Sequence, residues 1–317
     1  MSADGAALGA RLRERDLSAA PAALNLLESR TAADREQSAK LLAELSPAAL
    51  GGEAPGLVIG LTGPPGAGKS TLLSALLRAW RAQERSVAIL AVDPSSRRSG
   101  GSLLGDRARI EFDPADRGVL IRSTAAGERL GGLASATRAA AHALAAAFDV
   151  VVVETVGVGQ GETEIADVAD TVVVVVQPGS GDVLQFLKSG ITEIPDLLVV
   201  TKADLLAIAT RTVLEVSAAM RSLGSGATPV LAVSSLSPSS GIDELVQALD
   251  EHRAGLDIAA RRLGARRAGA LTDFVVEHGE RGLRSLGGRR AAETLLGAQE
   301  PGLQTPALLA VLEQAMG

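Results

Sequence analysis

Residues 60–73 read GLTGPPGAGKSTLL. Gly63, Gly68, Lys69 and Ser70 fill the pattern G-x-x-x-x-G-K-[ST], with Pro64, Pro65, Gly66 and Ala67 between the glycines and Thr71 following. Glycines let the backbone curl so that successive N–H groups converge on one anion. A helix that begins at this point adds its positive dipole end to the same place. Lys69 then reaches the outer phosphates of a nucleotide, and Ser70 offers a hydroxyl to Mg²⁺. The flanks match that geometry. Leu57, Val58 and Ile59 predict a buried strand before the loop, and Leu72, Leu73, Leu76 and Leu77 a helical stripe after it.

Working outward, Ser86–Val92 reads as a strand ending in Asp93 and Val119–Arg122 as a short strand, while Val150–Val153, Val172–Val176, Leu197–Val200 and Val230–Val233 are continuous apolar runs typical of parallel strands covered on both faces. With helical patterns between them they predict a doubly wound, mostly parallel α/β sheet, whose ligand sits at the carboxyl ends of the strands. Residues 1–50 read as an N-terminal helical region, with a Thr31–Asp34 capping box and an end at Pro47 and Gly51-Gly52. Residues 51–250 form the sheet domain and 251–317 a C-terminal helical extension, expected to run from about Leu256 to Leu286 and then from Thr305-Pro306. The pairs Arg261-Arg262, Arg266-Arg267 and Arg289-Arg290 are read as solvated helix faces rather than an anion site.

Composition narrows the function. Four Phe, one Trp and no Tyr leave little to stack on bases, and a net charge of −6 opposes general nucleic-acid binding. No apolar stretch is long enough to span a membrane, and the first residues lack a signal-type apolar run. The absence of Cys excludes thiolate metal sites and fits a cytoplasmic location.

Three further segments carry chemistry. Asp93 closes a strand, and Asp106 follows a Gly/Ser-rich stretch. Carboxylates so placed hold Mg²⁺ directly or through water. In VVVETVGVGQGE, residues 151–162, Glu154 follows a strand and Gly157 can offer its N–H to the outermost phosphate. Val158 stands where many small GTPases carry a water-orienting Gln. Gln160 is the nearby candidate for that role, and slow hydrolysis is expected. In LLVVTKADLL, residues 197–206, Asp204 can accept two hydrogen bonds from guanine, which adenine cannot supply, while the stem of Lys202 covers the base. Thr201 stands where the usual N-K-x-D pattern has Asn. Ser234, Ser235 and Leu236 match the loop that contacts the base oxygen.

The segments DPSSRRSGGSLLGDRAR (93–109), ETVGVGQGE (154–162) and PGSGDVLQFLKSGITEIPD (178–196) resemble the MeaB/ArgK family, GTPases associated with methylmalonyl-CoA mutase, and the resemblance spans about residues 15–255. It implies a homodimeric, GTP/GDP-binding metallochaperone of the SIMIBI class of P-loop GTPases. Such proteins protect or reactivate an adenosylcobalamin-dependent mutase and gate its cofactor loading. Lys69, Ser70, Asp93, Asp106 and Glu154 match the family's nucleotide and magnesium positions. Asp182, Gln185 and Lys188 match a loop that senses the mutase. Phe186-Leu187 replace the usual Gly-Ile, and the C-terminal extension, expected to dimerise, does not align. Two alternatives compete. A nickel-insertion GTPase is disfavoured because His142, His252 and His278 are the only histidines and do not cluster in sequence. A protein kinase linked to basic amino-acid transport would need an acceptor site and catalytic base that no motif supplies.

Overall fold

The computed structural model describes residues 3–29, 31–93, 110–125, 135–155, 165–179 and 195–316. Seven strands form one sheet: β1 (Leu57–Thr62), β2 (Val87–Asp93), β3 (Val119–Ala125), β4 (Val150–Glu154), β5 (Thr171–Val176), β6 (Leu197–Val200) and β7 (Val230–Ala232). Their order is β3-β2-β4-β1-β5-β6-β7, and every pair is parallel. β1 is therefore central, between β4 and β5, and all carboxyl ends lie along one edge. β3 runs past Arg122 to Ala125, because its pairing with β2 continues to Asp93.

Side chains alternate across the pleat. Leu57, Ile59 and Leu61 of β1, with Val150, Val152, Val173, Val175, Leu197 and Val199, share one apolar cluster. The loop helix α5 (Lys69–Ala82) adds Leu72, Leu73, Leu76, Leu77 and the fully buried Trp80, and the helix Ile242–Ala254 adds Leu245, Val246 and Leu249. On the opposite face of β1, Gly60 lies under Ile165. A Cβ there would come within 2.6 Å of that side chain, so the position is kept bare by packing.

The chain divides into two compact units. One, residues 57–134 and 149–256, holds the sheet. The other collects residues 1–56, 135–148 and 257–317. Within this second unit, α1 (Gly5–Arg13), α2 (Ala20–Glu28) and α3 (Ala32–Glu44) follow the cap residues Asp4, Ala19 and Thr31. Asp34 also accepts the Thr31 hydroxyl at 2.8 Å. Pro47 does not end the region. It opens one more turn, α4 (Pro47–Leu50), capped by Ser46, because proline is tolerated where no intrahelical N–H is needed. The Ala-rich helix α6 (Ser135–Ala147) belongs to this unit. The long C-terminal helix Ile258–Ser285 is interrupted at Gly279 (φ 60°, ψ −165°), and Arg289–Gly297 and Thr305–Met316 follow. Thr305 lies inside the last helix, and the Gln304 carbonyl before it accepts the first helical N–H bonds.

Arg289 and Arg290 are exposed, as expected, but the other two arginine pairs correct the expectation of solvated faces. Arg262 and Arg266 are each only 7% exposed. Arg262 donates to the carbonyls of Ala54 and Gly56, both at 2.7 Å. Arg266 makes two parallel 2.9 Å bonds to the Glu53 carboxylate. Their neighbours Arg261 and Arg267 stay partly exposed, since adjacent helix positions point about 100° apart.

Candidate functional site

The phosphate-loop residues stand immediately after the central strand. Gly63 has φ 148°, and a Cβ there would lie 2.2 Å from the Val175 carbonyl oxygen. No other residue fits that approach. Gly68 (φ 89°) forms the helix N-cap, and Lys69 opens α5. Lys69 is 8% exposed and folds back across the loop. Its ammonium donates to the Gly63 carbonyl at 2.7 Å and lies 3.4 Å from that of Pro64. The start of the loop thus holds, through the Gly63 and Pro64 carbonyls, a lysine that can instead meet an anion. Pro65, Gly66 and Thr71 lie at the surface, and Ser70 is partly exposed in the first helical turn.

The neighbouring strands deliver their polar residues to the same edge. Parallel register sets Leu61 opposite Glu154, and Glu154 also pairs with Ala91, two residues before Asp93. Glu154 is 5% exposed. Thr155, one residue on, donates its N–H to the Leu61 carbonyl and its hydroxyl to Thr62 Oγ1, both at 3.0 Å. These bonds lock the end of β4 to the strand that feeds the loop.

The TKAD segment joins the loop from the other side. Thr201, 3% exposed, donates its hydroxyl to the Ala67 carbonyl at 2.6 Å and also lies 3.2 Å from that of Val176. Lys202 takes a left-handed conformation (φ 52°). Its ammonium donates to Gln177 Oε1 at 2.8 Å and sits 3.4 Å from the Gly66 carbonyl. Asp204 is exposed at the start of a short 3₁₀ turn, and its Oδ1 accepts the Ser234 hydroxyl at 3.1 Å. A bond from Ala203 N–H to the Val233 carbonyl at 3.1 Å fixes the spacing of these two loops. Ser235 is partly exposed and Leu236 is 60% exposed.

The loop residues, Glu154, Thr201, Lys202, Asp204 and Ser234 are thus gathered along the carboxyl edge of β1, β4, β6 and β7. Asp106, Gly157, Gln160, Asp182, Gln185 and Lys188 lie outside the described residues. Of Asp93 only the backbone position, at the end of β2, is described. Three contacts went unread in the sequence: Thr62 with Thr155, Thr201 with Ala67, and Gln177 with Lys202. Gln177 directly follows a run of five valines that ends β5, the same signal that singled out Glu154. A cavity of about 540 Å³ lined by Ala75, Arg78, Ser240, Gly241, Asp243 and Glu244 includes none of the motif residues.

A glycine-rich loop after the central strand of a parallel sheet, holding its own lysine, defines a P-loop nucleotide-binding protein. The chain belongs to the family described as methylmalonyl Co-A mutase-associated GTPase MeaB, whose model matches residues 19–281. A protein of Pyrococcus abyssi, provisionally named a GTPase, is 41% identical over 265 residues, covering 81% of this chain and 78% of that one. The mouse methylmalonic aciduria type A homolog, a mitochondrial protein, is 44% identical over 147 residues, 46% of this chain and 35% of the mouse protein. The crystal structure of an LAO/AO transport system kinase is similar at a TM-score of 0.64 and 27% identity, covering 98% of this chain and 96% of that one. The relatives' names support guanine-nucleotide binding and GTP hydrolysis by this chain. No helix among the described residues is long and apolar enough to cross a membrane.

Proposed function

We propose that the chain binds GTP and GDP, hydrolyses GTP slowly, and acts as a homodimeric cytoplasmic chaperone of an adenosylcobalamin-dependent acyl-CoA mutase, methylmalonyl-CoA mutase or a relative. The observation that carries this reading is the Thr201 hydroxyl bonded to the Ala67 carbonyl. It couples the base-side segment to the phosphate loop, so that a nucleotide with both a guanine and a phosphate chain fits one edge.

In this reading Gly63 to Thr71 hold the phosphates through backbone N–H groups, with Lys69 released from the Gly63 carbonyl to the phosphate oxygens. Lys202 lies along the base, Asp204 accepts from its ring N–H and amino group, and Ser234, Ser235 and Leu236 supply the loop beside it. The oxygen-only donor set of Ser70, Asp93, Asp106 and Glu154 suits a hard cation. These residues would hold Mg²⁺, which neutralises charge on the transferring phosphate. Glu154 and Gln160 would orient the attacking water. Gly157 would report the outermost phosphate, and Asp182, Gln185 and Lys188 would pass that state to the mutase. The C-terminal extension would supply the dimer contact.

Calorimetry with GTP and Mg²⁺ tests the binding step, and a pull-down scored for a cobalamin-dependent mutase tests the client. Lys69→Ala is expected to weaken GTP binding about 100-fold, in line with the loss of charge-assisted bonds to phosphate. Unchanged affinity would mean that the loop is not the phosphate site. The kinase reading is favoured by one observation, the likeness to the crystallised LAO/AO transport system kinase. Labelled GTP and ATP separate the two: free phosphate supports the GTPase, labelled protein the kinase.

A further inference from the structure

The sequence offers three isolated histidines, but the tertiary structure surrounds one of them. Glu277 and His278 stand on the long helix Ile258–Ser285, and Glu313 stands on the last helix, Thr305–Met316. One donor atom from each lies within 4.8 Å of the other two. His278 Nε2 is 3.1 Å from Glu313 Oε1, and the imidazole packs against Phe274 with ring centres 4.8 Å apart. All three belong to the same compact unit.

We propose that Glu277, His278 and Glu313 form a binding site for a divalent transition metal of the zinc type, separate from the nucleotide's magnesium, which ties the long helix to the last one. Three features point to a cation. First, two carboxylates are brought together with no lysine or arginine ion pair to either among the described residues; the imidazole meets Glu313 alone at hydrogen-bond distance. Like charges this close repel, and a dication between them reverses the sign of that interaction. Second, Gly279 breaks the helix directly after His278. Glu277 and His278 therefore occupy the last turn of the straight segment, where the carbonyl end of the dipole favours a cation and disfavours a lone Glu. Third, the donors are one imidazole nitrogen and two carboxylate oxygens, a set that suits zinc and its neighbours, whereas magnesium prefers oxygen alone.

The geometry needs little adjustment. In a tetrahedral zinc site, ligand atoms stand about 3.3 Å apart, given metal–ligand lengths near 2.0–2.1 Å. The donors, within 4.8 Å of one another, stand about 1.5 Å beyond that spacing at most, a difference on the scale of a glutamate side-chain rotation. His278 is 23% and Glu313 39% exposed, so an ion reaches the site from solvent, and a fourth position stays open to water. Without metal, Nε2–H can donate to Glu313. Metal takes the Nε2 lone pair, and the ring proton moves to Nδ1.

The test is a titration of the chelator-treated full-length protein with zinc chloride alone, in excess Mg²⁺, followed by calorimetry. The expected result is one zinc per chain, unaffected by Mg²⁺, with His278→Ala and Glu313→Gln each at least 10-fold weaker and His252→Ala unchanged. Wild-type affinity in both His278→Ala and Glu313→Gln would overturn the proposal, as would loss of zinc binding in His252→Ala alone. Circular dichroism checks that the variants fold. Should they not, histidine-ring NMR of the wild type decides: zinc must shift the His278 ring signals, and a response confined to His142 or His252 overturns the proposal. GTP binding by His278→Ala should equal that of wild type, which keeps this outcome distinct from any failure of the nucleotide site.

Discussion

Asp204 is exposed, and among the described residues its carboxylate accepts only the Ser234 hydroxyl, at 3.1 Å, which leaves it available to a base. Asp204→Asn places an amide where guanine presents donors, and the amide can donate to the carbonyl of xanthine. Preference is expected to move from GTP toward xanthosine triphosphate, measured by competition binding; intact GTP affinity would place the base elsewhere. Thr201 is a different case. Its residue type suggested a substitute for the usual Asn at the base, yet its hydroxyl is 2.6 Å from the buried Ala67 carbonyl. Thr201→Val removes that donor at nearly constant shape. The expected cost is about 1–3 kcal/mol of stability, the penalty for a buried acceptor that loses its partner. Urea unfolding checks it. The motif positions were legible because phosphate and base chemistry restrict residue type at fixed spacing. The partners of Thr62, Thr155 and Gln177 were not, because a hydroxyl or amide carries no label for the atom it will meet across the sheet.

At the level of elements, continuous valine and leucine runs identified the strands, because parallel strands are buried on both faces. The helices were harder. Pro47 and Gly279 are both breakers by type, yet one starts a turn and the other interrupts a helix that resumes. The paired arginines look alike in sequence, but helix geometry turns Arg262 and Arg266 inward while Arg289 and Arg290 both stay exposed. Arg266 meets Glu53 through two 2.9 Å bonds in a largely buried position. Arg266→Ala is expected to destabilise the protein by about 3–5 kcal/mol, because the Glu53 carboxylate loses its compensation. Replacing both, Arg266→Met with Glu53→Leu, should recover most of that loss. A denaturant midpoint for each variant checks the cycle.

Global stability should also depend on pH through His142. Burial, followed by the nearby Arg262 guanidinium, lowers its pKa from 6.5 to about 4, against the opposing effect of its 3.0 Å bond to the Leu45 carbonyl. As pH falls below 6.5 the unfolded chain takes up a proton on this ring, while the native ring stays neutral until about pH 4. Its contribution is therefore intact above pH 6.5 and is lost progressively down to about pH 4, by at most about 3 kcal/mol. His142→Gln should flatten the stability curve across that window, as read from urea unfolding at stepped pH. An unchanged slope would mean that the ring is protonated in the native state.

The sequence by itself determined the strand–loop–helix at residues 57–82, the parallel α/β class and the order of the chemical motifs. Those rest on local rules: hydrophobic period, the bareness of glycine, and residue types that one reaction demands. Only the tertiary structure decided that β1 lies between β4 and β5, that residues 135–148 group with both chain ends, and that Glu313 meets His278 across 35 positions. These depend on which surfaces bury one another. Burial is non-directional and can be satisfied by many partners, so pairing between distant segments is settled by the packing of the folded chain and leaves no fixed spacing to read.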